Sequence, residues 1–229
     1  MIFTDPPYNV SIGAKNRCLN ALNGTHGIET PILGDEGMTD EEVGKTLWLP
    51  AFQNMLSAAN DECSLYVTMP QGGTHMMMMM MMIYRAGWQV KHELMWLKNV
   101  PTFSMNRLDY DYQHEPILYG WNKSHKFIGE GEFKKSVWEI QRLQKCDLHP
   151  TMKPIELIVN ALKNSSVVGD MVLDLFGGSG STLIACEETG RKCRMMELSP
   201  EYCDVIVERW EKLTGKHAEL IREGGNNAN

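Results

Sequence analysis

The sequence predicts an α/β protein, with a mostly parallel sheet and helices on both faces. Three observations carry this. Residues 171–213 read as strand, glycine turn, helix, strand and helix, and strands that alternate with helices build parallel sheets. A short apolar segment, Ile2-Phe3-Thr4, runs into a rigid corner, Asp5-Pro6-Pro7-Tyr8. The 229 residues suit one domain with a full core.

The elements follow in order. Ile2-Phe3-Thr4 reads as the end of a strand, shorter than the usual five or so residues. This leads us to expect further N-terminal sequence in the natural protein. Residues 11–45 carry Gly, Asn, Asp and Thr without a period and read as a long loop. Within its end, Thr39 and Glu42 have the spacing of a capping box, so a helix should start there and run through Trp48, Phe52 and Leu56. Ser64 to Thr68 is a short apolar strand. His75 to Arg85 holds seven consecutive methionines and reads as a helix ended by Gly87. A helix apolar all round is expected to be fully buried or to lie at a subunit contact.

Gln89–Leu97 and Glu115–Tyr119 read as strands, and residues 122–148 as a polar, basic, irregular stretch. Pro154 suits the first turn of a helix over Ile155–Lys163. The last unit is strand Met171–Phe176, helix Ser181–Thr189, strand Lys192–Glu197 and helix Pro200–Leu213.

Composition excludes several classes. The longest apolar run, Met76–Ile83, is too short to span a bilayer. None of the six cysteines forms a C-x-x-C pair and no zinc-ligand spacing occurs, so no metal is expected. The opening residues do not read as a signal peptide, and a reduced, cytoplasmic protein is expected. The net charge of −7 does not favour nucleic acid, but residues 121–153 hold seven Lys/Arg against four Asp/Glu.

Residues 173–182 read L-D-L-F-G-G-S-G-S-T. Glycines after a strand let backbone N–H groups approach a ligand at a helix N-terminus. Glu197 ends the next strand, 19 residues after Gly178, where an acid can bind ribose hydroxyls. The spacing is not the G-x-G-x-x-G of a dinucleotide site. A ligand with ribose and no phosphate fits better, and S-adenosyl-L-methionine is one.

Here the chain resembles the amino-group DNA methyltransferases. D-P-P-Y at 5–8, H-P-T-M-K-P at 149–154, F-G-G-S-G at 176–180 and E-L-S-P-E-Y at 197–202 are similar to motifs of that family, in the order of its permuted β arrangement. The resemblance implies a Rossmann-like, circularly permuted methyltransferase fold in a single domain over 1–229. It implies methyl transfer to the N6 amine of adenine in DNA, since D-P-P-Y usually accompanies adenine and S-P-P-Y cytosine. N4 of cytosine, and an RNA or protein amide, stay open as acceptors. So does a cofactor-binding module without chemistry.

By the same resemblance Asp5, Pro6, Pro7 and Tyr8 form the catalytic loop. Asp5 and the Pro6 carbonyl accept the amine hydrogens, and Tyr8 stacks on a base flipped from the duplex. Phe176, Gly177, Gly178 and Gly180 line the cofactor, Asp174 faces its amino group, and Glu197 takes its ribose. His149, Thr151 and Lys153 border its methionine end. Residues 122–148 are a short target-recognition segment, where Lys123, Lys126, Lys134, Lys135, Arg142 and Lys145 are candidates for phosphate contact.

Other features have plainer readings. His114-Glu115 resembles half a metal site but lacks further ligands, so a strand-edge or DNA-facing role is expected. Tyr110, Tyr112, Tyr119 and Trp121 read mainly as core. The short first strand and the methionine helix together suggest a homodimer.

Overall fold

A computed structural model of the chain describes residues 1–9, 38–102, 109–128, 134–142 and 152–221. Seven strands form one sheet: β1 (Ile2–Thr4), β2 (Ser64–Thr68), β3 (Gln89–Thr102), β4 (Tyr112–Trp121), β5 (Val137–Glu139), β6 (Met171–Asp174) and β7 (Lys192–Met195). Their order across the sheet is β5-β3-β4-β2-β1-β6-β7. β4 runs antiparallel to both its neighbours, and every other pairing is parallel.

The three-residue β1 lies in the middle, between β2 and β6. The ladder extends one residue beyond it. The Met1 carbonyl accepts from Leu173 N–H at 3.1 Å, and the Met1 amine donates to the Met171 carbonyl at 2.9 Å.

Alternation along the strands fills two cores, one on each face. Ile2, Leu65, Val67 and Leu118 point to one side, against Trp48, Phe52, Met79 and Ile83. Phe3, Tyr66, Ile117 and Tyr119 point to the other, against Leu157, Ile158, Ala161 and Leu162. A parallel sheet covered on both faces is the arrangement such apolar strands require.

Helices α1 (Asp40–Val43) and α2 (Leu49–Ala58) are joined without a break by a π-helical turn over Gly44–Trp48. The capping box is present: Thr39 N–H donates to Glu42 Oε2 at 2.8 Å, and Glu42 N–H to Thr39 Oγ1 at 3.3 Å. The methionine run forms α3 (Gly73–Arg85), and here the expectation of full burial is corrected. Met79, Met82 and Ile83 are buried, while Met77 is 65% and Tyr84 73% exposed. A run of identical residues has no polar side, so only its seating on the sheet decides which methionines go inside.

Helices α4 (Ile155–Ser165), α5 (Ser181–Glu188) and α6 (Pro200–Thr214) follow the predicted boundaries within two residues. Of the aromatic group, Tyr119 joins the core, but Tyr110 is 81% exposed.

Candidate active site

The parallel strands all end on one side of the sheet, and the crevice there is where open α/β sheets hold ligands. β1 delivers Asp5-Pro6-Pro7-Tyr8 to that side, β6 the glycine loop, β2 its last residue Thr68, and β3 its Lys98. Antiparallel β4 starts there, which brings in Glu115 near its amino end. Pro154 caps α4 and sets Lys153 immediately before that helix.

Asp5 sits at the centre. Its Oδ2 accepts from Lys153 Nζ at 2.7 Å. Its Oδ1 accepts from the Tyr8 hydroxyl at 2.9 Å and from the Thr68 hydroxyl. The corner is also held from outside: the Trp48 indole N–H, from the π-helical turn, donates to the Pro7 carbonyl at 3.0 Å. A π turn shifts the helix register by one residue, a device often found beside functional sites.

A second carboxylate lies behind the first. Glu115 Oε1 accepts from Lys153 Nζ at 2.9 Å and from the Tyr8 hydroxyl at 3.1 Å, while Oε2 accepts from Lys98 Nζ at 3.0 Å. The four ionic groups alternate in sign and sum to zero, which makes their burial tolerable. Burial pushes the Glu115 carboxyl up, but Lys153 and Lys98 outweigh it and bring it down to about 2. Burial alone would pull the Lys153 ammonium down, yet Asp5 and Glu115 hold it well above the usual lysine range. Lys98 is shifted downward, because burial there outweighs Glu115. Burial, with Asp5 and Glu115 beside it, raises the Tyr8 phenol well above its ordinary value.

The expectation for Glu115 is therefore corrected. It is 7% exposed on an interior strand, so it is not at a sheet edge. Sequence reasoning also missed Thr68, Lys98 and Trp48. The one available signal was a carboxylate at the head of the apolar strand Pro116-Ile117-Leu118-Tyr119, a cost that a buried partner must offset.

The glycine loop forms the other half of the crevice. Glu197 lies just beyond β7 and spans the two loops: Oε2 accepts from Gly178 N–H at 2.7 Å, and Oε1 from Ser199 N–H at 2.8 Å. Gly177 lets the loop pack against the end of β7, since a Cβ there would lie 2.7 Å from Met195 Sδ and 3.1 Å from the Met196 carbonyl. Gly180 has φ +81°, in the left-handed region that favours glycine. Arg209 on α6 anchors the loop by donating to the Ser179 carbonyl and, at 3.1 Å, to Ser179 Oγ. Phe176 is half-buried against the core on the side of α1 to α3.

Asp174 differs from the expectation that it faces a ligand. Its Oδ1 accepts from Thr4 Oγ1 at 2.8 Å and Phe176 N–H at 3.0 Å, and its Oδ2 from Thr182 Oγ1 at 2.6 Å. The carboxylate is turned inward, and it ties the catalytic strand to the glycine loop. Burial, against these three donors, pushes its carboxyl up to about 7.

The basic residues are not brought to the crevice as a group. Lys123 and Lys126 follow β4, whose antiparallel course carries them to the opposite end of the sheet. There Lys123 pairs with Asp61 at 3.0 Å and Lys126 with Asp170 at 3.3 Å. Lys134 and Lys135 lead into β5 from its amino-terminal side and line a groove with Lys163 of α4. Arg142, just past the carboxyl end of β5, is on the crevice side, and its backbone N–H donates to Asn99 at 3.0 Å. His149, Thr151 and Lys145 lie outside the described residues. Among the described residues, no cluster of three or more His, Cys, Asp or Glu forms a metal site. Nor is any helix among them long and apolar enough to cross a membrane.

A covered, mostly parallel sheet whose Asp-Pro-Pro-Tyr corner precedes its glycine loop defines a class, the α/β fold of permuted methyltransferases. Residues 1–208 match the DNA methylase family of N6 and N4 amino-methyltransferases, and the chain belongs to it. The chain is 30% identical over 147 residues to the type II methyltransferase M.Cfr9I of Citrobacter freundii, covering 59% of this chain and 48% of that one. It thus spans about half the length of that relative. Two solved structures share the fold. The M1.HpyAVI–SAM complex has a TM-score of 0.63 at 21% identity, covering 91% of this chain and 87% of that one. The cytosine-N4-specific PvuII DNA methyltransferase has a TM-score of 0.68 at 14% identity, covering 91% and 78%.

Proposed function

We propose that this chain transfers a methyl group from S-adenosyl-L-methionine to the exocyclic N6 amine of adenine in DNA. The observation that carries this is the fixed Asp5 carboxylate at the end of β1, next to the glycine loop after β6. The residues present suit such a cofactor. Gly177 seats the loop against the end of β7, beside Glu197. Glu197, already bonded to the loop, has lone pairs left for ribose hydroxyls. Inward-turned Asp174 supports the loop from behind and is not itself a ligand. When bound, the cofactor supplies an electrophilic methyl on a sulfonium.

The chain's own task is to prepare the amine. Its lone pair is delocalised into the base ring, so it is a weak nucleophile. A hydrogen bond from the amine to Asp5, and a second to the Pro6 carbonyl, draw the nitrogen toward tetrahedral geometry and localise the lone pair. Lys153, Thr68 and Tyr8 hold Asp5 still, and the prolines fix φ on either side of the Pro6 carbonyl. Catalysis is then chiefly positioning and preorganised polarity. The base must leave the duplex to reach the corner.

The same acceptors suit the N4 amine of cytosine. That reading stands second, favoured by the fold shared with a cytosine-N4-specific enzyme. The test is methyl transfer from labelled cofactor to mixed-sequence DNA, RNA and peptide, followed by digestion and mass identification of the product. N6-methyladenine is expected, N4-methylcytosine supports the second reading, and label in RNA or peptide alone overturns both. For the expected self-association, the exposed Met77 and Tyr84 face of α3 is the surface we favour, and light scattering at micromolar concentration tests it.

A further inference from the structure

We propose that Glu115 is a positioning residue for methyl transfer, acting through Tyr8 and Lys153 to leave Asp5 free for the substrate. This rests on the function proposed above. The geometry is specific. Tyr8 has one hydroxyl proton but two carboxylate acceptors, Asp5 at 2.9 Å and Glu115 at 3.1 Å. Lys153 likewise bridges Asp5 at 2.7 Å and Glu115 at 2.9 Å.

The Asp5 oxygens already accept three hydrogen bonds, two at Oδ1 and one at Oδ2, so an incoming amine takes the remaining Oδ2 lone pair or displaces one of the three. Without Glu115, a displaced Tyr8 hydroxyl or Lys153 ammonium would be left unpaired in a buried site, which is costly. With Glu115, each keeps a full partner. The Tyr8 hydroxyl then donates to Glu115 alone while the ring stays put, and Lys153 retains one carboxylate. Glu115 can hold this post because its own place is fixed. It sits on a strand paired on both sides, opposite Trp96, and its far oxygen is held by Lys98 at 3.0 Å. Lys98 is itself seated 4.9 Å above the Trp96 ring. The pair Glu115–Lys98 thus forms the fixed back wall against which the catalytic corner rests.

The test replaces that wall without leaving a lone buried charge. Glu115→Leu combined with Lys98→Met removes one negative and one positive group of similar volume, a swap that folds generally tolerate. Circular dichroism should show the native fold, and calorimetry a cofactor affinity within about threefold of wild type. The turnover number should fall about 10- to 100-fold, because the corner is less well placed, while the KM for DNA changes far less. Glu115→Gln, which keeps an acceptor for the Tyr8 hydroxyl, should retain intermediate turnover, and it replaces the double variant if that does not fold.

Turnover within threefold of wild type in the folded double variant overturns the proposal, as does wild-type turnover in Glu115→Gln where the double variant does not fold. So does a parallel loss of cofactor affinity and turnover, which a general structural defect would give. Amine acylation mapped by mass spectrometry reads the same wall without activity. Lys153 should be protected in the wild-type chain at pH 9 and labelled at least several-fold faster in the variant. If the wild-type chain methylates nothing, the proposed function fails, and unchanged Lys153 labelling overturns the present inference on its own.

Discussion

The Nζ of Lys153 lies 2.7 Å from Oδ2 of Asp5, across 148 residues of sequence. One contact therefore joins the first strand's corner to the start of α4, and it fixes the plane of the carboxylate. The other oxygen is held by Tyr8 and Thr68. A carboxylate gripped at both oxygens loses little freedom when a substrate arrives, the basis of preorganised catalysis.

Asp5→Ala should abolish this acceptor while leaving the fold intact, because Lys153 still pairs with Glu115. Turnover should fall about 10²–10³-fold, the usual loss for one preorganised polar partner. Cofactor affinity, measured by calorimetry, should stay within about twofold, since the glycine loop is untouched. Near-normal turnover would remove Asp5 from the chemistry.

Glu197→Ala should act on the opposite half of the crevice. It removes the acceptor for Gly178 N–H at 2.7 Å and Ser199 N–H at 2.8 Å, and with it the proposed ribose ligand. A hydrogen bond to a charged group contributes roughly 1.5–3 kcal/mol, so affinity for the cofactor should fall about ten- to a hundredfold. Equal affinity in the variant would mean that the ribose is held by other residues.

Much of this frame was legible in the sequence, and what was not shares one cause. Thr39 and Glu42 announce their helix because a capping box is local. Short continuous apolar runs announce β2 and β4 for the same reason. β5, three residues long amid polar neighbours, exists only because β3 offers it an edge. Glu115 and Lys98 meet across a hairpin, and Lys153 joins them from 38 residues beyond Glu115. Local periodicity says nothing about such pairings. The placement of the basic stretch was illegible for a related reason. Its count was right, but the antiparallel direction of β4, which composition does not encode, sends Lys123 and Lys126 away from the crevice.

That placement predicts a contrast. Lys123→Gln with Lys126→Gln should leave DNA affinity, and the slope of log affinity against log salt, unchanged, because both side chains are paired at the far end. Arg142→Gln, on the crevice side, should reduce the slope by about 0.9, the effect of one lost phosphate contact. Filter binding or anisotropy across a salt series reads both. A slope changed by the lysines and not by Arg142 would move the DNA face to the other end of the sheet.

The last prediction concerns Asp174 and pH. Thr4 Oγ1 donates to Asp174 Oδ1 at 2.8 Å, so this buried carboxyl links β1 to the loop after β6. Burial outweighs its three donors and raises it from 3.8 to about 7. A raised carboxyl binds its proton more tightly in the folded state. Its contribution is thus fully present below about pH 4 and is lost as pH rises through about 7. In that window the loss is about 1.4 kcal/mol per pH unit, levelling off above it. Glu115 works in the opposite sense, with stability present above 4.5 and lost as pH falls through about 2, so measurements from pH 5 to 8 separate Asp174 from Glu115. Asp174→Asn cannot ionise and should lack this dependence. Denaturant midpoints of both chains at pH 5, 6, 7 and 8 should show the wild type losing ground to the variant up to about pH 7, then no further. A constant difference across the series would mean that Asp174 is ionised in the fold throughout, its three donors outweighing its burial.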